Sequence, residues 1–215
     1  MKTIFTILLI IHVISGSVAL LFGSITIFRK KGNKMHKKTG DFFRIGMLVS
    51  GCAGLIMSVL HPNFFLFIIG AFTLYMVLTG QRALHFMKTK QPVIPHFYDW
   101  FVGITMFLFS IAFWIYGSFL LYSGGSFGVV LLVFGFISST MVYKDYSLMK
   151  NKNSTANSWL LLHIQRITGA YIASTTAFLV VNNTFLPAVV AWLLPTILVT
   201  PLIFIWVKKY KKIIR

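Results

Sequence analysis

Seven long apolar stretches dominate this sequence of 215 residues. About 20 consecutive apolar residues, wound as an α-helix, cross a hydrocarbon core about 30 Å thick. Hydrophobic residues make up 57% of the chain and charged residues only 11%, far from the usage of soluble domains. The stretches run from Thr3 to Phe28, Phe43 to Leu60, Phe64 to Phe86, Trp100 to Tyr122, Ser126 to Tyr143, Trp159 to Val181 and Thr184 to Val207. The sequence therefore predicts an all-α polytopic membrane bundle, one domain over residues 1–215 with seven transmembrane helices.

The basic residues predict how this bundle is oriented. All but two of the 20 Lys and Arg lie within residues 29–44, 82–90, 144–152 and 208–215, whereas the connections "HPN", "YSGGS" and "VNNT" carry no charge. Positively charged loops stay in the cytoplasm, so we expect the N-terminus outside and the C-terminus inside.

The net charge of +17 raises the question of nucleic acid. The basic residues are spread over every inner connection, and they match no known nucleic-acid-binding motif. Such a distribution is typical of membrane orientation and of attraction to anionic lipid head groups. The sequence thus predicts a lipid bilayer with anionic head groups as the partner and no nucleic acid.

Small residues and prolines predict how some helices pack. Small residues recur every four positions along the second and sixth stretches, and this spacing lets helix backbones approach closely. Three prolines are expected along the seventh helix, where they bend it or free carbonyl groups. The residues are Gly46, Ser50, Gly54 and Ser58, then Gly169, Ala173 and Ala177, and the prolines 187, 195 and 201.

Two histidine–arginine pairs stand out in the third and sixth stretches. Arg82 precedes His85 by three residues, and Arg166 follows His163 by three. Because these helices run antiparallel, both histidines lie nearer the cytoplasm and both arginines about 4.5 Å deeper. We therefore expect one polar layer near the cytoplasmic face, if the two helices are neighbours.

The two arginines need negative partners. The chain has only three acidic residues, and from their places in the sequence we expect only Asp41 or Asp99 to reach an arginine, but not Asp145. A shortage of anions predicts an anionic ligand, such as a lipid phosphate, a haem propionate or a phosphorylated small molecule. The alternative is structural: Arg82 extends to the interface, and Arg166 bonds helix carbonyls.

The histidines leave two cofactor hypotheses open. Haem b ligated by two imidazoles requires histidines from different helices at similar depth, as expected for His85 and His163. A zinc site requires three protein ligands, which His36, His85 or His96, and His163 would supply with Asp41 or Asp99. His12 lies inside the first helix beside Gly16, where it either packs or binds a cofactor.

Four segments give this chain a resemblance to a known family. They are His12-x3-Gly16, "KGNKMHKKTG" from Lys31 to Gly40, "GQRALH" and "HIQRITGAYIASTTAFLVVN". Nearly the whole chain resembles a family of small bacterial polytopic membrane proteins of unknown function. The resemblance implies a bacterial inner-membrane location and carries His12, His36, Arg82, His85, His163 and Arg166 as motif positions, but it implies no activity. In outline the chain is also similar to di-haem cytochromes b, although it lacks their paired histidines at the outer face.

Three classes of function follow from these residues. The first is a protein with haem or another anionic ligand at the inner layer, serving electron transfer if the ligand is haem. The second is a zinc-dependent intramembrane hydrolase, and the third is a transporter or assembly factor without a cofactor. Fold analogy does not decide among them, so whether the protein is an enzyme stays open.

Overall fold

The computed structural model describes residues 2–89, 93–151 and 154–213, and it confirms the all-helical bundle of seven helices. The helices are α1 (Lys2–Phe28), α2 (Lys34–Leu60), α3 (Phe64–Lys88), α4 (Phe97–Tyr122), α5 (Phe127–Lys150), α6 (Ala156–Asn182) and α7 (Ala188–Ile213). Five of them, α1, α2, α4, α5 and α7, are long and apolar enough to cross a membrane. That α3 and α6 also span stays a prediction.

Helix α2 begins earlier than the apolar pattern predicts. It starts at Lys34 rather than at Phe43, so most of the basic segment is helical. The side chain of Asn33 accepts a hydrogen bond of 2.7 Å from the backbone N–H of His36 and so caps the first turn. The charged turns at the start of this helix extend beyond its apolar stretch, which is why hydropathy alone missed them.

Two groups of helices make up the bundle. α1 packs on α2, α2 on α3, α3 on α6, and α6 on α7, while α4 and α5 form a separate hairpin. Aromatic side chains fill the gap between this hairpin and the other helices. The ring centroids are 5.2 Å apart for Phe72 and Phe134, and 5.9 Å apart for Phe127 and Trp192. The α4–α5 hairpin therefore meets the bundle through large side chains rather than through close backbone contact.

Small residues hold the helices of the larger group together, as their spacing predicts. A Cβ atom added to Gly46 would lie 2.7 Å from the backbone oxygen of Ser15, so α1 and α2 touch there. A Cβ atom added to Gly169 would lie 2.8 Å from the sulfur of Met76 on α3. These close approaches fix the α1–α2 and α3–α6 contacts.

One proline lies outside the predicted helix. Pro187 precedes α7, and its carbonyl accepts a hydrogen bond of 3.0 Å from the N–H of Ala191. The prediction that Pro187 lies within the seventh helix is therefore wrong, because the helix starts at Ala188. Pro195 and Pro201 do lie inside α7.

Candidate functional site

Arg166 is buried where α6 meets α5. Only 2% of its side chain is exposed. Its Nη2 atom donates to a carboxylate oxygen of Asp145 and, at 2.7 Å, to the backbone oxygen of Met141. A permanent cation in this apolar segment is thus neutralised by a carboxylate from the neighbouring helix.

Asp145 joins three helices. One of its oxygens accepts from Arg166 on α6, and the other accepts from the hydroxyl of Tyr75 on α3. The Tyr75 ring lies 5.4 Å from the Arg166 guanidinium carbon. The expectation that only Asp41 or Asp99 reaches an arginine is therefore wrong. α5 extends to Lys150, which places Asp145 more than one turn inside the helix.

Arg82 forms the second ion pair. Its Nε and Nη2 atoms donate to the two oxygens of Asp99 on α4, at 2.7 and 2.9 Å. Asp99 also accepts a 2.8 Å hydrogen bond from the backbone N–H of His96 and so caps α4. The expected reach of Asp99 is confirmed. Asp41 is exposed and lies 3.5 Å from Arg44 instead.

Both ion pairs cross the same interface. Arg82–Asp99 joins α3 to α4, and Arg166–Asp145 joins α6 to α5. A further bond runs from the Lys144 ammonium on α5 to the side-chain oxygen of Gln165 on α6. We call the two ion pairs with Tyr75, Lys144 and Gln165 the polar cluster. It ties the α4–α5 hairpin to α3 and α6.

A small cavity lies at this interface. It offers about 30 Å³ to water-sized molecules, which is room for about two waters. Of the four residues predicted to form one polar layer, Arg82 is part of the cavity wall, and His85, His163 and Arg166 are not among the lining residues. The wall consists of Thr79, Arg82, Ala83, Phe86, Tyr98, Asp99, Val102, Gly103, Asp145, Met149, Trp159 and Leu162.

The polar cluster retains unused donor capacity. The Nε atom of Arg166 is buried and has no hydrogen-bond partner among the described residues. Lys144 interacts electrostatically with both Arg166 and Asp145, so the cluster holds three cationic groups against two carboxylates. A buried donor without a partner is uncommon, and it indicates a place for a water or an anion.

His163 and His85 do not face one another. The Nδ1 atom of His163 lies 2.9 Å from the backbone oxygen of Gly80, so this nitrogen carries the proton and Nε2 keeps a lone pair. Gly80 lies on the face of α3 that touches α6, since an added Cβ would lie 2.9 Å from that of Arg166. His85 is exposed, about 140° around α3 from Gly80 at 100° per residue. The residues present therefore do not fit a haem held between His85 and His163.

The predicted zinc ligands are also dispersed. His36 interacts electrostatically with His163, and its Nδ1 atom is buried without a partner among the described residues. Asp41 and His85 are both exposed. Within residues 2–89, 93–151 and 154–213, no three His, Cys, Asp or Glu side chains are grouped closely enough to hold a metal ion.

His12 joins α1 to α2. Its Nδ1 atom lies 2.9 Å from the backbone oxygen of Ser50 and 3.0 Å from the Ser50 hydroxyl. The same hydroxyl donates to the backbone oxygen of His12 at 3.2 Å. A Cβ atom added to Gly54 would lie 3.4 Å from the imidazole. These contacts are those of a packing residue, the first of the two roles open for His12.

Lys31 follows α1 outside the spanning segments, and its side chain caps the C-terminal end of that helix. Its ammonium donates to the backbone oxygens of Thr26 and Ile27, at 3.1 and 2.7 Å, and lies 4.2 Å from the ring centre of Trp206 on α7. Burial lowers the pKa of Lys31 from 10.5 to about 8, because desolvation disfavours the charged form. This contact joins the basic α1–α2 connection to the C-terminal part of α7.

The fold and the site together define a helical membrane protein with a buried, charge-paired polar cluster between two groups of helices. The chain matches no known family, no curated protein and no solved structure. Its function must therefore be argued from the polar cluster itself.

Proposed function

We propose that this protein is a transport protein of the bacterial inner membrane that binds a small monovalent anion beside the polar cluster. One observation carries the proposal: both ion pairs and the cavity lie at one interface, between the α4–α5 hairpin and helices α3 and α6. Ionisable side chains inside a membrane domain are costly and mark ion or solute pathways.

The position of the ion pairs favours transport over a purely structural role. A buried ion pair adds little stability compared with well-packed apolar residues. Here both pairs join two helix groups that otherwise meet through large aromatic side chains. Movement of one helix group against another, around a central site, is how many secondary transporters work.

The chemistry of the cluster favours an anion. The guanidinium of Arg166 has an unused buried donor, Arg82 forms part of the cavity wall, and Lys144 supplies a third cationic group. Guanidinium groups present several N–H donors that suit anionic oxygens and halides. The cavity has room for about two waters, a space that suits a small anion such as chloride or nitrate.

The distribution of basic residues supports the membrane orientation. The positive connections predict that the inner ends of α3 and α6 face the cytoplasm, which places the cavity on that side. The inner membrane of a bacterium is the location that the family resemblance implies.

The proposal is tested by chloride release from liposomes that contain the purified protein. Valinomycin and a protonophore are added, so that neither charge nor protons limit the flux. We expect the protein to release chloride faster than protein-free liposomes. Arg82→Gln and Arg166→Gln should each slow release about tenfold, since a hydrogen bond to a charged group contributes about 1.5–3 kcal/mol.

Arg44→Gln is the matched control. Arg44 is also an arginine paired with an aspartate, but its partner is exposed and neither residue borders the cavity. Its rate should equal that of the wild type, with nitrate as well as with chloride. A wild-type rate equal to that of protein-free liposomes would overturn the proposal. So would folded Arg82→Gln and Arg166→Gln proteins that release chloride at the wild-type rate.

A further inference from the structure

We infer that the anion binds together with a proton, and that Asp145 is the residue that accepts this proton. This inference rests on the proposed function and adds its coupling ion. It starts from the wall of the cavity, which contains the carboxylates of Asp99 and Asp145 as well as the guanidinium of Arg82.

An anion in this cavity meets negative charge at close range. Two like charges in contact repel strongly where water is scarce, and such a pair favours protonation of one partner. One proton and one monovalent anion together leave the net charge of the polar cluster unchanged. An anion alone lowers that charge by one and lies against an ionised carboxylate.

The hydrogen bonds distinguish the two aspartates. Asp99 accepts from two guanidinium N–H groups and from the backbone N–H of His96, and none of these donors can become an acceptor. Asp145 accepts from the Tyr75 hydroxyl, which can rotate and instead accept a hydrogen bond donated by a protonated Asp145. Asp145 thus keeps a partner in both states, whereas Asp99 does not.

Arg166 can exchange its counter-ion, from Asp145 to the bound anion. When Asp145 becomes neutral, the guanidinium keeps its bond to the Met141 oxygen, and an anion in the cavity, whose wall includes Asp145 and Arg82 but not Arg166, supplies the missing negative charge. The anion then replaces Asp145 as the counter-ion of Arg166. The step is a protonation and an exchange of counter-ions, so no covalent bond other than the O–H bond forms or breaks.

The charged and titratable groups around Asp145 come from every helix of the site. They are Tyr75 and Arg82 on α3, Tyr98 and Asp99 on α4, Lys144 on α5 and Arg166 on α6. While no anion is bound, Arg166 is the counter-ion of Asp145. Acid pH should therefore promote binding only when an anion is present.

The test uses the same liposomes without ionophores. An inward chloride gradient should acidify the interior, as reported by a trapped pH-sensitive dye, with one proton entering per chloride. The initial rate should rise as the outer pH falls from 7.5 to 5.5, by up to about tenfold per pH unit. Wild-type chloride flux that is independent of pH and moves no protons would overturn the coupling, while leaving the proposed function intact.

Two variants locate the proton. Asp145→Asn removes the carboxylate that accepts the proton, so whatever chloride flux the folded variant shows should depend on pH no longer and should be accompanied by no acidification. Tyr75→Phe keeps both charges of the ion pair and removes the reversible hydroxyl, so coupled flux should fall about tenfold. Asp41→Asn, on the exposed side of α2, should behave as wild type. Full proton coupling in folded Asp145→Asn protein would overturn the assignment to Asp145.

Discussion

At the scale of single residues, this protein neutralises Arg82 on α3 and Arg166 on α6 with one aspartate each. Arg166 and Asp145 are both buried, whereas Arg82 is partly exposed beside a buried Asp99. Removing one member of a buried pair leaves the other charge without a partner in a medium of low dielectric constant. Removing both members takes away that penalty.

The first prediction is a double-mutant cycle at the buried pair. In chloride-free buffer, Arg166→Gln and Asp145→Asn should each lower the free energy of unfolding by about 3–5 kcal/mol. The double variant should lose clearly less than the sum, because no uncompensated charge remains. Denaturant unfolding followed by circular dichroism measures these losses. Additive losses would mean that the two residues act independently.

The second prediction concerns the pH dependence of stability at Lys31. Burial places its pKa at about 8 in the folded protein, below the ordinary 10.5. Between these values the unfolded chain binds more protons, so the contribution of Lys31 to the free energy of unfolding rises with pH. We expect the wild type to gain stability relative to Lys31→Met between about pH 8 and 10.5. A constant difference between the two melting temperatures over this range would contradict the shift.

At the scale of the helices, the sequence predicts far more of the fold than of the site. Apolar length is a property of single segments, so it located all seven helices, while it missed the charged start of α2 and began the seventh helix too early, at Thr184 rather than at Ala188. Which face of one helix packs against another depends on both helices, so the hydropathy of single segments does not predict it. The sequence predicts His85 and His163 at matched depth, but Gly80 lies on the face of α3 that meets α6, and His85 lies on another face.

Asp145 is a second case in which the sequence does not predict which side chains meet. Its place near the end of an apolar stretch suggested a residue at the membrane surface, while the charged residues around it continue the helix to Lys150. Its separation of 21 residues from Arg166 is compatible with neighbouring antiparallel helices. Only the packing of α5 against α6 shows that the two side chains meet.

The third prediction tests the close contact between α1 and α2. Gly46→Ala should lower the free energy of unfolding by about 1–3 kcal/mol, because the new Cβ would lie 2.7 Å from the backbone oxygen of Ser15. Gly103→Ala is the matched control, since a Cβ atom there meets nothing within 4 Å. The melting temperature of each purified variant gives the comparison. Equal melting temperatures would show that α1 moves aside at no cost.

At the scale of the whole molecule, the orientation remains to be measured. In a Cys52→Ala background, single cysteines at Asn63, Ser123 and Asn183 should react with a membrane-impermeant maleimide added to intact cells. Cysteines at Lys34, Gln91 and Asn153 should react only after the cells are opened, because the positive connections lie inside. Gln91 and Asn153 lie outside the described residues and rest on the sequence alone. Labelling of Asn153 in intact cells would contradict the orientation.

The pairing of arginines and aspartates also bears on how the chain enters the bilayer. Each arginine finds its aspartate on a helix adjacent in the chain, Arg82 on α3 with Asp99 on α4, and Asp145 on α5 with Arg166 on α6. During synthesis, a helix that carries one of these charges therefore needs only the next helix of the chain to leave the ribosome before its charge can be paired. Two successive hairpins can each reach the lipid with their arginine already paired, and neither Arg82 and Asp99 nor Asp145 and Arg166 need to face hydrocarbon without a partner while the rest of the protein is made.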